Sequence, residues 1–152
     1  MIPLPPMVVP GGALDPAFPD ADIYLEPPIA AVAPNTRAGA TARRYVELVN
    51  AGDYAGVAAL YADDATFLEP MRPNLQGRAQ IDEFYNKRIG SMKPTIVAVS
   101  YLGTEGECSI MLTLRTEIGG AQRYALVSVD HFVVNPNGKI RNMTAFARPA
   151  RK

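Results

Sequence analysis

The chain is poor in the residues that build disulfides and metal sites: of 152 residues one is cysteine, Cys108, and one is histidine, His131. A single thiol closes no internal disulfide and suits a reducing compartment. With no cluster of Cys and His there is no basis for a structural zinc site. Net charge is missing too, because fifteen Lys and Arg balance fifteen Asp and Glu. Nothing therefore draws the chain electrostatically to nucleic acid or to an anionic membrane. No apolar run approaches the length of a membrane-spanning helix. No Lys or Arg precedes Arg37, and prolines break up the first apolar residues, so both marks of a secretory leader are lacking. The expectation is a cytoplasmic protein that binds neither nucleic acid nor membrane.

Hydrophobic residues make up 48% of the chain and charged residues 20%, the balance of a globular protein with a sizeable core. Two regions are distinguishable. Residues 1–37 hold nine of the fourteen prolines, and the charges before Arg37 are Asp15, Asp20, Asp22 and Glu26. Proline at this density disfavours helix and central strand, leaving extended chain. Ile2, Leu4, Val8, Val9, Phe18, Ile23, Tyr24 and Leu25 make it more apolar than a solvated linker requires. It reads either as a tail or as an arm packed over its own domain or a partner subunit.

Residues 38–152 form the second region. Tyr45, Leu48 and Val49 recur at helical spacing and predict a helix from near Thr41 to Ala51. Gly52 supplies its stop and Asp53 the cap of a second helix, with Val57, Leu60 and Tyr61 as the apolar stripe. A strand at 65–69 follows, and then a third helix over about 78–90 with Ile81, Phe84 and Tyr85 on one face. Strands are expected at 95–102, 107–117, 122–134 and 139–148, joined by Thr104-Glu-Gly-Glu, Gly119-Gly120 and a turn ending in Asn137-Gly138. Helices first and hairpins afterwards predict an α+β fold, with three helices covering one face of a curved sheet and enclosing a pocket.

Alternation in the long strand puts Leu126, Ser128, Asp130, Phe132 and Val134 on one face and His131 on the other. A carboxylate between apolar neighbours needs partners or takes up a proton. Glu69, between an apolar run and Pro70, reads either as a solvated strand-end acid or as a base held in an apolar pocket. The tyrosines at 45, 61 and 85 read either as core residues with their hydroxyls at the edge or as polar groups of that pocket. Asp63 and Asp64, expected at a helix end, read as solvated.

The segments ARRYVELVNAGDYAGVAALYADDATFLEP, GRAQIDEFY and VDHFVVNPNGKIRNMTAF together resemble the Δ5-3-ketosteroid isomerases over most of residues 42–148. The first of these patterns is also widespread in the nuclear transport factor 2-like, or SnoaL-like, superfamily. The resemblance implies a cone-shaped curved mixed sheet around an apolar pocket, no cofactor, no metal, a small apolar steroid-like substrate and a homodimer. It implies roles residue by residue. Glu69 stands where the family has its general base, Tyr45 where a tyrosine bonds the dienolate oxygen, and Asp130 where a protonated aspartic acid makes the second such bond. Tyr61 and Tyr85 match tyrosines that bond one another and the catalytic tyrosine. Phe132 and Phe146 are expected to line the pocket against the substrate.

The chain departs from that family in three ways. Its base is Glu rather than Asp, it carries the proline-rich extension, and it has Ala147 where a bulky aromatic can occur, implying a roomier pocket. Two further functions are compatible with the same fold: a SnoaL-like polyketide cyclase or hydratase, and a non-catalytic binding module. The homodimer is expected through the outer face of the sheet, where Val127, Val129 and Val133 lie opposite Asp130.

Overall fold

The computed structural model describes residues 31–68, 73–118 and 121–149. The arm up to residue 30, Glu69 and the Gly119-Gly120 turn lie outside the described residues.

Helix α1 spans Arg37–Ala51, starting earlier than its apolar stripe alone predicts. Thr36 is extended at φ −131°, and its hydroxyl accepts from the Gly39 amide at 3.0 Å, which caps the first turn. The Arg37 amide donates to the Glu105 carboxylate at 2.9 Å and the Ala38 amide to the Glu105 carbonyl at 3.1 Å. Amides that no helical carbonyl can reach are thus satisfied by the turn at Glu105. Gly52 closes the helix in the left-handed region at φ 71°, where its amide reaches the Leu48 and Val49 carbonyls. Ala38, Ala42, Tyr45, Leu48 and Val49 form the buried face.

Helix α2, Tyr54–Ala59, is capped by Asp53, whose carboxylate accepts from the Gly56 amide at 2.8 Å. It is shorter than expected. Tyr61 does not continue its stripe but opens strand β1, Tyr61–Leu68, opposite Ile140. The Leu60 carbonyl accepts from the Ile140 amide at 2.8 Å, drawing the chain into the sheet one residue before Tyr61. Asp63 and Asp64 accordingly sit in β1, not at a helix end, and both are exposed. Asp63 pairs with Arg78 at 2.8 Å.

A short strand β2, Leu75–Gln76, leads into the third helix. That helix is α-helical over Arg78–Glu83 (α3), π-helical over Phe84–Ile89, and α-helical again over Gly90–Met92 (α4). Then come β3, Thr95–Gly103; β4, Glu107–Ile118; β5, Ala121–Val134; and β6, Ile140–Pro149. The six strands lie in the order β2-β1-β6-β5-β4-β3. The sheet is mixed, since β1 runs parallel to β6 and the other neighbours are antiparallel. Register shifts at Ala98/Ser100, Leu114/Arg115 and Val133/Val134 bend the strands, as bulges do.

The β5–β6 turn is set by Asn135, whose side-chain oxygen accepts from the amides of Asn137 and Lys139, both at 3.0 Å. Gly138 takes φ 78°, and its carbonyl accepts from the Thr41 hydroxyl at 2.7 Å, which fastens α1 to the hairpin. Against α1 the sheet turns an inner face carrying Cys108, Ile110, Leu112, Phe132 and Met143, each no more than 1% exposed. Large apolar side chains buried in this way contribute about 1.5–3 kcal/mol each, so packing rather than helix propensity holds α1 in place.

Candidate active site

Three elements bring three phenols to one point. Tyr45 comes from the buried face of α1, Tyr61 from the first position of β1, and Tyr85 from the π-helical stretch. All three are at most 5% exposed. The Tyr61 and Tyr85 hydroxyl oxygens are 2.7 Å apart, and the Tyr85 hydroxyl donates to that of Tyr45 at 3.2 Å. A phenol has one proton, so a Tyr85 that donates to Tyr45 must accept from Tyr61. The bonds therefore run from Tyr61 through Tyr85 to Tyr45. The Tyr45 proton has no acceptor among the described residues and is free for a ligand. The Tyr45 ring packs edge-on to Tyr85, with centroids 6.1 Å apart, and lies 4.9 Å from Phe132.

Burial pushes all three phenols up from their ordinary pKa, and for Tyr45 the nearby Asp130 charge pushes in the same direction. Neutral tyrosines of this kind donate hydrogen bonds and do not act as bases.

Asp130 is 6% exposed on the inner face, with Ile110 opposite on β4 and Ala145 on β6. Its Oδ1 accepts from the Ser128 hydroxyl at 2.6 Å, and it has no other hydrogen bond among the described residues. Burial raises its pKa from the ordinary 3.8 to about 6, and the Ser128 bond works against that rise. Below pH about 6 the group is a neutral acid able to donate. The Ser128 bond had no role in the sequence reading, although both residues were already placed on one strand face two positions apart.

The raised value has a consequence for stability. As pH rises from about 4 to 6 the unfolded chain releases a proton that the folded protein retains, so folding loses free energy across that window. The shift of about two pH units corresponds to about 3 kcal/mol at neutral pH. Asp130→Asn keeps the shape and an acceptor for Ser128 while removing the charge. Urea denaturation is expected to find it as stable as the parent at pH 4 and more stable by up to about 3 kcal/mol at pH 8.

The remaining candidates fall as follows. Phe132 is fully buried beside Tyr45. Phe146 does not join the group: it pairs with Val129 on the opposite face and is 63% exposed. The register sets Ala145 against Asp130 and Ala147 against Ser128, so alanines occupy the inner β6 positions beside these two residues. Glu69 follows Leu68, the last residue of β1, directly in the chain and lies outside the described residues. His131 faces away from Asp130, as expected, with its Nδ1 2.7 Å from the Ser109 hydroxyl.

Among the described residues no group of three or more His, Cys, Asp and Glu could hold a metal ion, and no helix is long and apolar enough to cross a membrane. A cleft of about 460 Å³ between α2, β1 and α3 is lined by alanines with Asp63, Arg78 and Asp82. It shares no residue with the tyrosine cluster and offers only exposed charges already paired or solvated.

Residues 42–143 match the SnoaL-like domain family. A steroid Δ-isomerase of Nocardioides simplex is 33% identical over 111 residues, which is 72% of this chain and 89% of that protein. Among solved structures, the epoxide hydrolase/cyclase-like enzyme SalBIII, of pyran ring formation in salinomycin, superposes with TM-score 0.64 at 21% identity, covering 73% of this chain and 90% of its own. A Mycobacterium tuberculosis protein in complex with estradiol-17beta-hemisuccinate gives 0.63 at 22% identity, covering 74% and 94%. These superpositions give the chain, with its mixed sheet and helices, the nuclear transport factor 2-like fold. The chain belongs to the SnoaL-like family, and a steroid Δ-isomerase is among its relatives.

Proposed function

We propose that the protein isomerises a 3-oxo-Δ5-steroid to the conjugated 3-oxo-Δ4-steroid without a cofactor. The observation that carries this is the pairing of a buried Tyr45, with its proton free, and a buried Asp130 held neutral at mildly acidic pH on the facing strand. The Glu69 carboxylate takes a proton from C4, and the C–H electron pair moves into the ring and onto the 3-oxygen. Tyr45 and Asp130 donate hydrogen bonds to that oxygen as it gains charge. Donors fixed beforehand in a dry site stabilise such charge without reorganising. The protonated Glu69 then delivers the same proton to C6, so nothing is consumed and the base is regenerated. The use of a neutral carboxylic acid as the second donor is the established arrangement of ketosteroid isomerases, and it reaches this chain through its relatives.

The Asp130 value near 6 supports a second function, that of a cyclase or hydratase. Above that pH the group is a carboxylate and serves as a base toward a hydroxyl or a water. The pH profile separates the two. An isomerase loses activity as pH rises through Asp130's pKa, whereas a chemistry using Asp130 as base gains it. Turnover of 5-androstene-3,17-dione, followed by ultraviolet absorbance of the conjugated enone across pH 5–9, is the direct test.

A homodimer through the outer face of the sheet is part of the proposal. Leu102, 75% exposed, and Phe146, 63% exposed, support it, with Val129 and Val133 half-buried on the same face. Val127, expected to contribute, is only 6% exposed in the single chain and offers little surface. Phe146→Glu is expected to convert a dimer to a monomer by sedimentation equilibrium. A variant that sediments like the parent would remove this face from the interface.

A further inference from the structure

We propose that Ser128 is the positioning residue of Asp130, its hydroxyl anchoring one carboxyl oxygen so that the other meets the ligand. This rests on the isomerase function proposed above and adds a residue to it. The two side chains leave β5 on the same inner face, two positions apart, and Ser128 Oγ lies 2.6 Å from Asp130 Oδ1. Both are nearly inaccessible, Ser128 at 4% and Asp130 at 6%. Their cross-strand neighbours, Leu112 and Ile110 on β4 and Ala147 and Ala145 on β6, offer no side-chain hydrogen-bonding group. Ser128 is thus the one side-chain donor to Asp130 among the described residues.

A hydroxyl has a single proton to give. While that proton is committed to Oδ1, Oδ2 is the oxygen left to carry the acid proton and donate it to a ligand oxygen. The anchor also sets a limit. A hydrogen bond donated to a carboxylate stabilises its charged form, so Ser128 draws Asp130 toward ionisation while burial draws it away. Among the described residues the titratable groups that face Asp130 are Tyr45 on α1 and Tyr61 on β1, with Tyr85 bonded to both. All three stay neutral through this range because burial raises them. The alkaline limb of the isomerase profile consequently belongs to the Ser128–Asp130 pair.

Ser128→Ala removes the donor and creates little strain at an inner strand position. The pH–rate profile for 5-androstene-3,17-dione is expected to keep its acid limb, while its alkaline limb moves up by roughly 1–2 units, the size of a lost hydrogen bond to a charged group. The acid-side kcat should fall a few-fold with KM nearly unchanged, because the carboxyl is no longer held in one rotamer. Ser128→Thr, which keeps the hydroxyl, should restore both. Ser128→Cys, similar in size and a weak donor, should behave like the alanine variant and carries the test should the alanine variant not fold.

Carbon-13 NMR titration of the Asp130 carboxyl in the same proteins needs no turnover. It is expected to show the same upward movement, and an unmoved titration in both Ser128→Ala and Ser128→Cys overturns the assignment. If the parent turns over no enone while the titration moves as expected, the isomerase function fails and the anchoring role of Ser128 stands.

Discussion

Glu69→Gln is expected to lower turnover of 5-androstene-3,17-dione by roughly 10²–10⁴-fold, the usual contribution of a positioned general base. Gln has the same length and shape but no basic oxygen, so the proton at C4 has no acceptor. Binding of a phenolic steroid such as estradiol is expected to persist within a few-fold, because its phenol would present the oxygen proposed to meet Tyr45 and Asp130 and asks nothing of the base. Calorimetric titration beside the ultraviolet assay separates the two effects. Full activity in Glu69→Gln would remove Glu69 from the mechanism. Loss of estradiol binding along with activity would point to collapse of the pocket.

The second large effect is expected at Tyr45. Tyr45→Phe deletes one of the two proposed oxyanion donors and should cost roughly 10²–10³-fold in kcat, with a smaller change in KM. The ring contact 4.9 Å from Phe132 survives in the phenylalanine variant, so the packing of α1 is retained. The hydroxyl of Tyr85 then loses its acceptor, which adds a moderate stability cost of about 1 kcal/mol. A kcat within threefold of the parent would exclude Tyr45 as a donor to the developing charge.

Much of this site was legible in the sequence because its residues follow simple periodicities. Tyr45 was placed by helical spacing with Leu48 and Val49, and its burial on α1 agrees. Asp130 and Phe132 were placed together by strand alternation, and they share the inner face with Ser128. The turn at Asn137-Gly138 was visible because Gly138 needs a left-handed φ, which glycine adopts freely.

What was missed depends on interactions distant in sequence. Val57, Leu60 and Tyr61 fit a helical stripe, yet the bond from the Ile140 amide to the Leu60 carbonyl ends the helix and begins a strand. Local spacing carries no information about a partner eighty residues away. Phe146 is expected in the pocket from the family resemblance, and period-two alternation alone does not fix the pairing of β5 with β6 that corrects it. The register shift at Val133/Val134 decides that Ala145, not Phe146, faces with Asp130. The π-helical stretch carrying Tyr85 has no sequence signature, although it is where the central phenol of the relay sits.

The proposed reaction moves a carbon–carbon double bond into conjugation with a ketone by proton transfer alone. The ultraviolet assay of the dialysed protein with 5-androstene-3,17-dione near pH 6 tests this reaction. Saturable formation of the conjugated enone with no added metal or cofactor is the expected result. A rate no greater than that of buffer, with estradiol still bound, would contradict it.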